Sequence, residues 1–231
     1  MVFWIVDKAT HTGPCHIKHH SPNQDRFAYF SDGDFIALVV ADGAGSLELS
    51  HLGAELAVYT AIEVAKSSQP RKRPADLVKE MHGQVVSAFE VIPDRDVMGC
   101  TLAIAVADAS EWAILLVGDS YAVVHTGDGA HQVIESPPAG EYANITKLIT
   151  SVESEPLTKG GTSENLRGLS LATDGVAFGI QDNAALPAFW TPLLERVASG
   201  TKSYEKFLES LSDREVLWDD TTLVTAMIEG K

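Results

Sequence analysis

Cysteine, basic charge and long apolar runs are all scarce in this chain, and each shortage removes a class of protein. Cys15 and Cys100 are its two cysteines in 231 residues. They form no CxxC pair and no disulfide framework, so a reducing cytoplasm is the simplest expected compartment. Lys and Arg total 17 against 32 Asp and Glu, a net charge of −15. That balance argues against nucleic acid or an anionic membrane as a partner. No apolar stretch approaches the roughly 18 residues of a membrane span. The opening Met1-Val2-Phe3-Trp4-Ile5-Val6-Asp7 lacks the basic start and small-residue cleavage site of a signal peptide, and predicts a first strand. The glycine signature of a dinucleotide-binding turn is missing, as is a P-loop. Cysteine-based phosphatase chemistry needs an arginine six residues after the nucleophile, where this chain has Ser21 and Val106. Gly118-Asp119-Ser120 lacks the Gly-x-Ser-x-Gly frame of a nucleophile elbow.

What the chain does have is aspartate in telling places. Asp25, Asp42, Asp174 and Asp219 stand in Asn23-Gln24-Asp25, Asp42-Gly43-Ala44-Gly45-Ser46, Thr173-Asp174-Gly175 and Trp218-Asp219-Asp220-Thr221-Thr222. Apolar runs at 35–41, 169–173 and 222–227 read as buried strands, so three of these acids mark where a strand enters or leaves the core. Each alone has a plainer reading as a turn, since Asp-Gly is common turn chemistry. Adjacent acids entering an apolar run, as at Asp219-Asp220, are costly without a partner. Several carboxylates converging would repel one another unless a cation neutralised them, and Mg²⁺ and Mn²⁺ suit such oxygen donors.

The remaining pattern organises these acids. Strands are predicted at 26–30, 35–41, 101–107, 112–117, 121–125, 169–173 and 222–227, with a hairpin turn at Ser31-Asp32-Gly33-Asp34. Helices are predicted at 48–66, 75–89, 192–198 and 204–211, the first with Leu52, Leu56, Ala57 and Tyr59 on its packed side. Residues 127–167 read as loops plus a short helix. Strand groups joined by hairpins, with paired helices between them, predict an α+β fold of mainly antiparallel sheets covered by helices. A chain of this length is most economically one domain.

Taken in order, Asn-Gln-Asp, Val-Ala-Asp-Gly-Ala-Gly-Ser, Gly-Cys-Thr, Val-Gly-Asp-Ser, Leu-Ala-Thr-Asp-Gly-Val and Asp-Asp-Thr-Thr-Leu resemble the type 2C metal-dependent (PPM) serine/threonine protein phosphatases, in their compact bacterial branch. The similarity runs from about Gly13 to Ala226. It implies a four-layer α-β-β-α sandwich forming one phosphatase domain over 1–231, with 127–167 as the flap region. It also implies two Mn²⁺ or Mg²⁺ ions activating a water against phosphoserine or phosphothreonine in phosphorylated protein substrates. By position, Asp42 would bridge the metals and Gly43 would offer its carbonyl. Asp174 and Asp219 would complete one site, and Asp25 would stand behind them. A monomer is expected.

Three positions depart from that family. Ala44 stands where the animal enzymes have a histidine after Asp-Gly. Phe178 stands where a third-metal acid would join Asp119, so Asp119 would hold only a weak third ion. His20 and Tyr121 replace arginines, which leaves His16, Lys18 and His20 as candidates for gripping phosphate. The run Cys15-His16-Ile17-Lys18-His19-His20 matches no common zinc spacing and reads as an exposed or phosphate-facing loop. Two other readings stand beside the phosphatase: an inactive phosphatase-fold regulatory binding module, and a hydrolase of small phosphometabolites. The first usually announces itself by a lost metal-ligand aspartate, and the principal ones are all present.

Overall fold

A computed structural model describes residues 3–136, 146–151, 155–179, 186–201 and 203–229. In chain order the elements are β1 (Trp4–His11), α1 (Pro14–His19), β2 (Arg26–Asp32), β3 (Phe35–Ala41), α2 (Ser50–Ser67) and α3 (Pro74–Glu90). They continue with β4 (Leu102–Ala107), β5 (Glu111–Val117), β6 (Tyr121–Thr126), β7 (His131–Ile134), β8 (Leu157–Thr162) and β9 (Leu166–Ala172). The chain closes with α4 (Leu186–Ala198), α5 (Tyr204–Ser212) and β10 (Thr221–Ile228).

The strands form two five-stranded antiparallel sheets, ordered β1-β10-β9-β6-β7 and β2-β3-β4-β5-β8. Strand alternation explains how they stack. On β3, Ile36, Leu38 and Val40 face the other sheet, where they meet Leu169, Leu171, Val224 and Ala226. Phe35, Ala37, Val39 and Ala41 face outward, under α2 and α3. On β10 the outward Leu223 and Met227 pack with Trp190 of α4 and Tyr204 and Leu208 of α5. Every residue of β3 and of β10 is buried, which is why β3 reads as an unbroken apolar run and β10 as one interrupted only by Thr221, Thr222 and Thr225. The result is the helix–sheet–sheet–helix sandwich expected from the sequence.

The differences are local and each has a cause. Residues 127–167 contain two strands, and among the described residues no helix. The missed strands β7 and β8 lie at sheet edges, where one side faces water and the pattern weakens. In β8 the pair Gly160-Gly161 is not a loop: Gly161 sits opposite Trp112, whose ring covers it. Residues 14–19 form a helix, not a loop, opened by Pro14 in its first turn and closed by His20 in the left-handed region at φ 54°. Helix α4 begins at Leu186 and runs through Pro192. The proline forgoes a backbone bond, and burial of Trp190, Leu193, Leu194 and Val197 holds the helix around it.

The packed face of α2 is also not the one expected. Leu52 and Tyr59 are exposed, whereas Gly53, Ala54, Ala57, Val58, Ala61, Ile62 and Ala65 are buried. Small residues let the helix settle close to its neighbours, and bulk would hold it off. The limit is reached at Gly53, where a Cβ would stand 1.8 Å from the Met98 carbonyl oxygen. That turn matters to the site, because Gly99 and Cys100 follow it and pair with the Gly43-Ala44 backbone. Gly53→Ala is expected to lower the melting temperature by roughly 5 °C, from an overpacking cost of about 1–3 kcal/mol in a chain of this size. Thermal unfolding followed by circular dichroism reads it, and an unchanged midpoint would show that helix and turn separate freely.

Candidate metal centre

One end of the sandwich collects the acids. β3 delivers Asp42 as it leaves the core, and its partner β2 begins just after Asp25. β9 ends before Asp174, and its neighbour β10 begins just after Asp219 and Asp220. Asp119 sits in the turn from β5 to β6, the connection between the two sheets. These strand ends meet because antiparallel pairing sets the end of one strand beside the start of the next. Asp42, Gly43, Asp119, Asp174, Asp219 and Asp220 thus line a single cleft of about 410 Å³, with Gln24, Thr101, Thr146 and Leu148 in its walls.

The backbone fixes the Asp42 corner tightly. Asp42 N–H donates to Thr101 Oγ1 at 3.0 Å, and Thr101 N–H donates to the Asp42 carbonyl at 2.8 Å. Gly43 N–H reaches the Gln24 carbonyl at 3.2 Å. A Cβ on Gly43 would stand 2.9 Å from the Ser50 carbonyl carbon and oxygen, so only glycine fits between Asp42 and the start of α2. Asp25 lies behind the cleft, buried, and accepts a hydrogen bond from Thr173 Oγ1 at 2.8 Å on Oδ2. Thr173 Oγ1 in turn accepts from Thr222 N–H at 2.9 Å. The other oxygen, Asp25 Oδ1, is buried with no partner.

Crowding and dryness raise the pKa values of this cluster. Burial pushes Asp25 up to about 7, with the charge of Asp220 adding to it. Burial pushes Asp174 up to about 6, with Asp119 and Asp219 contributing. Asp42 rises well above the usual carboxylate range, by burial first and then by repulsion from Asp25, Asp174 and Asp119. Asp219 is raised too, mainly by burial. Among the described residues no lysine or arginine lines the cleft. A donor set of carboxylates and a glycine carbonyl, an orphaned buried oxygen and no counter-charge fit hard divalent cations.

Asp219 and Asp220 divide their work. Asp219 faces the cleft; Asp220 points inward, where Oδ1 accepts from Gly13 N–H at 2.7 Å and Oδ2 from Gln24 N–H at 2.6 Å. Its Oδ2 also meets His16 Nδ1 at 2.8 Å. Among the described residues, His16, Asp219 and Asp220 are the one group of three whose ligand atoms lie within 4.8 Å of one another. His16, Lys18 and His20 are all absent from the cleft lining, and the latter two are exposed on and just after α1. The inward role of Asp220 escaped the sequence, although the doubled acid before an apolar strand was its signal. Asp119 is in the cleft as expected, and accepts a hydrogen bond from Thr146 Oγ1; nothing in the sequence pointed to Thr146.

The raised acids have a consequence for the metal-free protein. A carboxyl whose folded pKa is about 7 and whose unfolded value is about 4 stabilises the fold fully below about pH 4. That contribution is lost as pH rises through about 7, since the unfolded chain then releases a proton the fold retains. With EDTA present, the melting temperature is expected to rise by at least about 4 °C from pH ~8 to pH ~5.5. In Asp25→Asn the slope should flatten; a slope unaltered by this change would remove Asp25 from the cluster.

Known proteins share this architecture. The family model described as protein phosphatase 2C matches residues 12–211. The serine/threonine-protein phosphatase 3 of Escherichia coli (strain K12) is 27% identical over 250 residues, covering 97% of this chain and 98% of that one. The Mycobacterium tuberculosis serine/threonine phosphatase PstP/Ppp superposes with a TM-score of 0.70 at 19% identity, over 99% of this chain and 100% of that one. The serine/threonine phosphatase of S. agalactiae gives 0.73 at 15% identity, over 98% and 100%. At such identities the structural likeness is one of fold, and the family rests on the sequence match across most of the chain. Carboxylates gathered at the sheet ends thus coincide with the match: the chain belongs to the protein phosphatase 2C family.

Proposed function

We propose that the chain hydrolyses phosphoserine and phosphothreonine in proteins, using two Mn²⁺ or Mg²⁺ ions held in the acidic cleft. The observation that carries this reading is the convergence of Asp42, Asp119, Asp174 and Asp219 with Gly43 in a cleft whose described lining includes no lysine or arginine. Asp42 feels the charges of Asp25, Asp174 and Asp119, which supports reading it as the acid that serves both ions. The Gly43 carbonyl, Asp174 and Asp219 would complete the set, and Asp119 would offer a third ion a weaker hold.

Bound divalent ions would supply Lewis acidity, a water deprotonated near neutral pH, and a positive field for the phosphate. The residues themselves do the rest. Bare, the cleft repels a phosphate dianion, because Asp42, Asp119, Asp174 and Asp219 share one small volume. Asp25, behind them with Oδ1 unpartnered, is placed to accept a hydrogen bond from a water and fix its orientation. Thr173 locks the other oxygen, so Asp25 cannot turn away. With Ala44 beside Gly43, no side chain at that position donates a proton, and the leaving alkoxide takes one from water.

The same reading takes the chain as one catalytic domain acting as a cytoplasmic monomer. Both cysteines are free, and no described helix is long and apolar enough to cross a membrane. Hydrolysis of para-nitrophenyl phosphate with Mn²⁺, with Mg²⁺ and with EDTA tests the core of it. Turnover is expected to need metal and to fall at least about a hundredfold in Asp174→Asn, more than loss of a residue behind a ligand would cost. Near-normal metal-dependent rates in that variant would sink the ligand assignment. Absent turnover with metal still bound by calorimetry would favour a regulatory binding module.

A further inference from the structure

A second cavity, of about 790 Å³, opens behind the segment that walls the cleft. The two share that wall residue by residue. Thr146 and Leu148 line the cleft, while Lys147, Ile149 and Thr150 line the second cavity. The wall is fixed to the site: Ile149 N–H donates to the Cys100 carbonyl at 2.8 Å, and Thr146 bonds Asp119. The far side is α3, contributing His82, Val86 and Phe89, with Arg95 from the turn that follows.

Its polar groups are out of balance. Arg95 is half-buried, and among the described residues it makes no ion pair or side-chain hydrogen bond. A partly desolvated guanidinium without a counter-charge is a standing cost. His82 Nε2 is buried without a partner on the same wall. Lys147 is exposed and likewise unpaired. Glu90 and Glu155 also border the cavity, but both are exposed, so water meets their needs. The unmet demand is therefore for an acceptor, and a planar guanidinium is best met by a carboxylate. Val86, Phe89, Ile149 and Pro156 supply an apolar bed for the stem carrying it.

We propose that this cavity is a docking subsite for the polypeptide beside the phosphorylated residue, where Arg95, with Lys147 next to it, takes the carboxylate of an acidic side chain. The inference rests on the phosphatase reading above. A phosphoresidue in the cleft lies across a wall one residue thick, and an extended chain advances about 3.3 Å per residue. A flanking residue a few positions away thus reaches the cavity. The chain carries 32 Asp and Glu against 17 Lys and Arg, so a half-buried arginine left without an acidic partner among the described residues stands out.

The test is a series of phosphothreonine peptides with one Glu walked through each flanking position, each compared with its Ala counterpart. At one or two adjacent positions Glu should raise kcat/KM about tenfold, the worth of one charge-assisted hydrogen bond. Arg95→Ala should bring that ratio to about one, and Arg95→Glu should transfer the preference to Lys at the same position. The Ala peptide serves as the reference within each variant, so a loss of folded protein leaves the ratio untouched. A wild-type enzyme indifferent to Glu everywhere, or a preference surviving Arg95→Ala, overturns the subsite while the phosphatase stands. Absence of metal-dependent turnover on every peptide would overturn both together.

Discussion

Mutual repulsion among Asp25, Asp42, Asp119, Asp174 and Asp219 is the constraint on which this molecule turns. Free carboxylates would separate; these cannot, because each is rooted at the end of a strand whose remainder is buried. The cost appears as pKa values driven upward, by burial first and neighbouring charge second. A fold that kept such charges close without a counter-ion would be working against itself. Hard cations would reverse the sign of the problem, because a bound divalent ion would be the largest local charge.

Rigid support is what makes that possible. The buried inner layer between the sheets is aliphatic, with Trp4, Phe27 and Trp112 packed against it, and the outer faces of β3 and β10 are covered by helices. Strands buried on both sides have little freedom to slide. Close seating of α2 against the turn at Met98 carries the same rigidity to the Gly43-Ala44 backbone, through the pairing with Gly99 and Cys100. Small residues in α2, whose start abuts Gly43, therefore help set the position of a proposed ligand.

Much of this was legible in the sequence, for a physical reason. Strands buried on both faces carry few polar side chains, so β3 and, between its threonines, β10 announced themselves, and the aspartates marked their ends. What failed to show was whatever depended on a neighbour. Leu52 and Tyr59 look like core residues until α2 is seen to pack through its alanines. Gly160-Gly161 looks like a loop until Trp112 is found lying over it. Asp219 and Asp220 are identical as letters, and only the alternation of side chains along the chain sends one to the cleft and the other to Gly13, His16 and Gln24. The identity of the acids was readable; their direction was not.

The inward grip of Asp220 on Gly13 and Gln24 joins positions about two hundred residues apart. β1 pairing with β10 closes the same circle. The cleft therefore draws on both sheets at once: β2 and β3 bring Asp25 and Asp42, while β9 and β10 bring Asp174 and Asp219. A fragment cut before Asp219 would keep Asp42 but leave Gly13 and Gln24 without the carboxylate that ties them to the far end of the sheet.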